Sequence, residues 1–199
     1  MPSRAFALTV TAGGAAALMM ACAHARTARE PYADAACGTR PQSRVLAEDA
    51  GERRVRRPPP NRPGAGLAYI VKVDCESVGS TDLFLSYEEL PVGSAIRPHH
   101  HPHMDEILII RSGSGVAVLD GKETAVSAGA TVYIAPSTVV ALRNTGTGPL
   151  SVAFVFPHTG YGTYLREWSV VDGEPVRPLT ESENAAKLRR ARWLQMFEP

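Results

Sequence analysis

Four of the six histidines in the chain fall in one fifteen-residue stretch, "IRPHHHPHMDEILII", from Ile96 to Ile110. Imidazole and carboxylate are common ligands of divalent transition metals, so the stretch poses a metal site against a decorated loop. In a strand, alternate side chains share a face. If Ile96 to His101 is a strand, His99 and His101 point inward together and His100 points out. Glu106 opens the next apolar strand and shares a face with Leu108 and Ile110. Two imidazoles and one carboxylate then meet in one pocket with coordination positions left open. Such a set suits Fe(II), Mn(II), Ni(II) or Zn(II). His103, in the turn "PHMD", is a candidate replacement ligand. Asp105 falls on the opposite face from Glu106 and reads as a turn or surface residue. A one-residue slip of register would exchange the two.

The elements that must position these residues are short. From Leu67 onward, apolar and β-branched runs such as "LAYIVKV", "EILIIRSGSG" and "LSVAFVF" alternate with turn residues. Asp120-Gly121 is a strong two-residue hairpin signal. Seven or more short strands with close turns predict an antiparallel sandwich or barrel. The tail differs. Thr180 and Glu183 stand in capping-box spacing ahead of an Ala-, Lys-, Leu- and Arg-rich run. One terminal helix is expected over about 181–197, packed by Leu188, Ala191 and Leu194. Upstream, "GERRVRRPPPNRPGAG" joins four arginines to a proline run. It reads as an extended, mostly solvated connector.

The chain has 199 residues, a formal charge of +1 and 44% hydrophobic content. That length favours one domain plus extensions. A near-neutral balance gives no case for nucleic acid as a partner. The N-terminus pairs Arg4 with an uncharged, small and apolar run, the pattern of an export signal. "LMMAC" resembles a lipoprotein box ending at Cys22, with Met19 where Leu is usual. Lipidation of Cys22 would attach the chain to a membrane; ordinary signal cleavage would release it. Both readings place the protein outside the cytoplasm: periplasmic, lipid-anchored or secreted. Cys37 and Cys75 would remain, either as a disulfide or as two free thiols. The expected organisation is a signal over 1–25, an extended polar arm over 26–66, a barrel over 67–157 and a C-terminal extension with a helix over 158–199.

Gly93, His99, His101, Glu106 and Gly113 fit G-x5-H-x-H-x4-E-x6-G without a gap, which resembles the first motif of the cupin superfamily. "GKETAVSAGATVYIAPSTVVALRNTG" is similar to the second motif, with Gly121, Gly129 and Asn144 in place. The resemblance spans roughly 69–156. It implies an all-β fold, the double-stranded β-helix or small jelly-roll barrel, here with the N-terminal arm and C-terminal helix added. It also implies a divalent metal, which many members hold through three histidines and one glutamate. This chain departs from that pattern: Val140 stands at the second motif's histidine, and Ser127 and Ser137 replace the usual Pro and Gly. His158 lies beyond the motif, near an expected barrel mouth.

Three readings of the site stay open. His99, His101 and Glu106 hold metal alone; His103 completes the set; or the pocket takes an organic ligand without metal. The family includes dioxygenases and sugar isomerases, so a metal-dependent enzyme of either kind acting on a small molecule is expected, with its catalytic residues not assigned. The alternative is a non-catalytic small-molecule-binding module. Tyr87, Tyr133 and Phe154 are candidate pocket residues, though aromatic strand residues are more often core. "HTGYGTYLREWSV" reads equally as a lid or as a crossover to a partner. The resemblance further implies a homodimer.

Overall fold

The computed structural model describes residues 40–61, 66–157 and 160–197. The export segment, Cys22, Cys37 and His158 lie outside the described residues. The elements are β1 (Glu52–Arg56), β2 (Ala68–Val73), α1 (Cys75–Val78), β3 (Phe84–Leu90), β4 (Ala95–His100), β5 (Glu106–Ser112), β6 (Ser114–Leu119), β7 (Lys122–Ser127), β8 (Thr131–Ile134), β9 (Val140–Arg143), β10 (Leu150–Phe156), α2 (Gly160–Glu167), β11 (Ser169–Val171), α3 (Glu181–Ala191) and β12 (Met196–Phe197). They form two sheets, ordered β11-β1-β2-β3-β10-β5-β8 and β12-β4-β9-β6-β7. Every pairing is antiparallel. The sheets face each other across an apolar interior, a double-stranded β-helix.

Period-two burial explains the strands. Along β5, Glu106, Leu108 and Ile110 are buried while Ile107 and Ile109 are partly exposed. Along β3, Phe84, Ser86, Glu88 and Leu90 form the inward face. The hairpin signal is realised: Leu119 pairs with Lys122, and both Asp120 and Gly121 take positive φ. This is the backbone that a right-twisted two-residue hairpin requires. The Asp120 carboxylate also accepts from the backbone N–H of Val139 at 2.9 Å.

Three expectations change. First, the arginine-rich connector is not all solvated, because Glu52–Arg56 is a strand between β2 and β11. The prolines end it only at Pro58. Two of its arginines make bonds across the fold: Arg54 Nε donates to Ser169 Oγ at 2.7 Å, and Arg56 Nη2 meets Glu88 Oε2 at 2.8 Å. Second, the terminal helix has its Thr180–Glu183 capping box but stops at Ala191. The chain then turns back, and Met196 and Phe197 pair with His100 and His99. Ala191 and Leu194 are fully buried, whereas Leu188 is 44% exposed. Continuing the helix would carry Leu194 and Phe197 away from the barrel, and burying them outweighs the extra helical turn. Third, the glycine-containing segment expected as a lid or crossover is α2. Its Tyr161, Tyr164 and Leu165 belong to the core.

A buried charge cluster joins α2 to the barrel. Asp74 caps α1 by accepting from Ser77 N at 2.8 Å. Its other oxygen receives Arg166 Nη1 at 2.5 Å, and Arg166 also meets Glu52 at 2.6 Å. Burial alone would raise the Glu52 carboxyl, but the bonds from Arg166 and Arg54 hold it below its ordinary value. Gly162 is required here by close approach, since a Cβ would lie 2.4 Å from Asp74 Oδ2. Removing one partner of a buried pair strands the other charge, which costs about 3–5 kcal/mol. Arg166→Met should therefore destabilise the protein by about that amount, because Asp74 is almost wholly buried. Urea unfolding measures the change. A loss under about 1 kcal/mol would mean that Asp74 is rehydrated or neutralised instead.

Candidate metal centre

β4 and β5 are consecutive strands in opposite sheets, so their inward faces look at each other across the barrel. The pairing of β4 with β9 slips between Ile96 and His99, a bulge that re-aims the strand end. His99 and His101 both enter the interior, 5% and 1% exposed, and Glu106 enters from β5 at 5%. Candidate ligand atoms of His99, His101 and Glu106 all lie within 4.8 Å of one another. Asp105 stays outside, accepting from the Tyr133 hydroxyl at 2.7 Å. The register therefore selects Glu106.

Backbone carbonyls orient both rings. His99 Nδ1 donates to Arg97 O at 2.7 Å, and His101 Nδ1 donates to Leu194 O at 2.5 Å. A carbonyl only accepts, so each Nδ1 carries the proton and each Nε2 offers a lone pair. Burial pushes the His99 imidazole down to about 4, which keeps it neutral near pH 7. Phe156 packs edge-on against His101 at 4.7 Å between centroids, and Phe197 lies 5.9 Å from His99.

His101 Nε2 and Glu106 Oε2 lie 3.3 Å apart, yet both are buried without a hydrogen-bond partner. Orphaned buried polar atoms are costly, about 1–3 kcal/mol each. Their lone pairs converge, and a cation placed between them would satisfy both. The donor set of two imidazoles and one carboxylate therefore fits a divalent metal. A cavity of about 20 Å³ adjoins it, room for a water-sized ligand but not for an organic molecule.

His103 is not in this group. It is exposed in the loop before β5, and its ring stacks on Trp193 at 3.9 Å. Among the proposed aromatic pocket residues, Phe154 lines the cavity. Tyr133 is 60% exposed, and Tyr87 lies under Arg111 in a cation–π contact. Val140, at the position of the missing histidine, pairs directly with His99 and forms part of the cavity wall.

Three site residues escaped the sequence reading. Glu88 and Arg56 form a buried pair in the same cavity wall. Burial raises the Glu88 carboxyl, Arg56 opposes that rise, and the nearby Glu106 adds to it. Glu88 Oε1 and Arg56 Nε have no hydrogen-bond partner. The alternation Phe84, Ser86, Glu88, Leu90 did carry a signal, a carboxylate on an apolar face. Gln195, from the turn after α3, accepts from the Tyr161 hydroxyl at 3.1 Å and completes the wall.

A two-sheet antiparallel barrel with an inward His-His-Glu cluster is the double-stranded β-helix class with a candidate metal site. Residues 86–156 match the family model for the cupin domain, so this part of the chain is similar to that family. An uncharacterized protein of Methanocaldococcus jannaschii is 38% identical over 63 residues, 32% of this chain and 50% of that one. The chain thus spans about half the length of that curated relative. Among solved structures, a predicted oxalate decarboxylase from Thermotoga maritima is 22% identical with a TM-score of 0.49, over 58% of this chain and 99% of that one. A Klebsiella pneumoniae protein with a double-stranded β-helix domain is 23% identical with a TM-score of 0.43, over 49% and 78%.

Val140→His should place a third imidazole beside His99. One added ligand worth more than ~1.4 kcal/mol would raise divalent-metal affinity at least about tenfold. Competition against a chelating dye measures it. Unchanged affinity in a folded variant would show that this wall does not reach the ion.

Proposed function

We propose that the protein is an exported cupin that binds a divalent metal through His99, His101 and Glu106 and acts on a small molecule, as a dioxygenase or isomerase. The observation that carries this reading is the pair of orphaned, converging atoms, His101 Nε2 and Glu106 Oε2. A divalent ion held there would supply Lewis acidity, polarising a substrate oxygen or receiving dioxygen.

The chain's own groups do the rest. Arg97 and Leu194 carbonyls fix the tautomer of each imidazole. Phe154, Phe156 and Val140 exclude water around the cluster. Glu88, with its carboxyl raised by burial, can hold a proton on its unpartnered Oε1 beside the cavity. Arg56 keeps that carboxylate from swinging away by holding Oε2.

A non-catalytic binding module is the second reading. Val140 in the cavity wall and the 20 Å³ space favour it, because that space holds a water-sized ligand and not an organic substrate.

Export is supported by the N-terminal pattern and by Cys75, which is disulfide-bonded, a state favoured in oxidising compartments. A lipidated Cys22 would tether the barrel to a membrane. Dimerisation through the arm before Leu67 or through α3 belongs to the same proposal.

The test is elemental mass spectrometry on the protein purified without an added histidine tag, beside His101→Ala and Glu106→Gln. Near-stoichiometric metal, lost in both variants, is expected. Absence of metal from the unaltered protein, even after reconstitution with Fe(II), Mn(II), Ni(II) and Zn(II), would overturn the metalloprotein reading.

A further inference from the structure

Outside the small inner cavity lies a larger cleft of about 600 Å³, a volume suited to a small organic molecule. The end of β1, β4 and α3 wall it. Arg56, Glu88, Ile96 and Gln195 line both spaces, so the cleft and the inner cavity share a wall.

The charge of this wall is one-sided. It carries Arg56, Arg57, Arg97 and Lys187 against the single carboxylate Glu88. Two of the four cations are already matched: Arg56 by Glu88 at 2.8 Å and Arg57 by Glu183 at 2.7 Å. Among the described residues, no carboxylate forms an ion pair with Arg97 or Lys187. Burial, and then the charges of Arg56 and Arg57, push the Lys187 ammonium down to about 8. That is the mark of a cation held among cations without a counter-charge. At the inner end, Arg56 Nε is a buried donor with no acceptor. Pro58, Leu188 and Phe197 give the wall an apolar part, Asn61, Asn184 and Gln195 add neutral polar groups, and Arg97 lies 5.5 Å over the Phe197 ring.

We propose that this cleft binds a small organic anion bearing carboxylate or phosphate oxygens. Arg97 and Lys187 take its charge at the mouth, and Arg56 Nε meets it at the inner end. An inorganic ion alone would leave most of the volume and the apolar wall unused. A nucleic acid or membrane surface would not enter so narrow a recess. The anion's approach to the His-His-Glu cluster rests on the metal reading above, whereas its binding does not. The Arg97 carbonyl orients His99, and the same residue lines the cleft with its guanidinium over the Phe197 ring, so one residue serves both places.

The test is isothermal titration of the full chain with citrate, inorganic phosphate and glucose, the last as a neutral control. Citrate should bind and raise the melting temperature, and glucose should do neither. Arg97→Gln and Lys187→Gln sit at exposed and half-buried positions and keep their backbone groups. Together they should weaken citrate at least about tenfold, as expected for two charge-assisted contacts. Glu106→Gln should lose metal and keep citrate. Displacement of citrate by phosphate would extend the site to phosphate esters, and failure to displace it would narrow the ligand to carboxylates; both support the proposal. No citrate binding or thermal shift in the unaltered chain would overturn it, as would equal binding by the folded double variant. Citrate binding without metal in any sample would sink the metal reading alone, and metal without citrate binding would sink this one alone.

Discussion

Two imidazoles and a carboxylate face an interior built largely of Leu, Ile, Val and Phe. Taking such groups out of water costs several kcal/mol unless something else meets their lone pairs and protons. Half of that requirement is met by protein. Each Nδ1 has a backbone carbonyl, one from its own strand and one from the far end of the chain. The other half, at His101 Nε2 and Glu106 Oε2, is not. The barrel therefore orients its donors with its own main chain and leaves their free ends converging on one point. This is how structural and catalytic metal sites are ordinarily prepared.

That arrangement gives the C-terminal segment a role beyond packing. α3 is capped at Thr180 and held by Glu183, whose carboxylate is bonded by Arg57 and Arg177 and kept well below the usual carboxylate range. The turn after Ala191 is then fixed by two close bonds to the Ala191 carbonyl. Only this turn delivers the Leu194 carbonyl to His101, Gln195 to the cavity and Phe197 to His99. A helix running to Phe197 would point the Leu194 carbonyl along its own axis and leave His101 Nδ1 without that acceptor. The helix stops where the site needs its backbone.

Much of this was legible beforehand, and the parts that were not share a cause. Glu106, Leu108 and Ile110 were placed correctly because strand period and apolar content agree there. His99 and His101 were paired despite a bulge, because the bulge displaces the strand upstream of both. Glu52–Arg56 was missed because charged residues on a strand read as solvated when their partners lie far along the chain: Arg166, Ser169 and Glu88 are 32 to 115 residues away. His103 has the right chemistry but sits in an exposed loop, where Trp193 offers it a stacking face. No local pattern encodes that contact. Ser137 shows the reverse. The resemblance places a glycine there, and the serine adopts φ 66°, the left-handed conformation that favours glycine. Its N–H still bonds the His101 carbonyl at 2.8 Å, so the backbone demand of the turn survives the change of residue.

β1 joins the fold to the site. Its alternate residues Glu52, Arg54 and Arg56 face three different partners: Arg166, Ser169 and Glu88. The first closes the Asp74 cluster that seats α2. The second bonds the start of β11. The third fixes a carboxylate in the cavity and points an unpartnered N–H along its wall. Lys72 on β2 anchors the segment before β1 by donating to the carbonyls of Ala47, Glu48 and Ala50. A strand outside the 86–156 window thus supplies a cation to the cavity wall beside the candidate metal ligands. The charge that any ligand would meet in this barrel is set by the extension as much as by the domain motif.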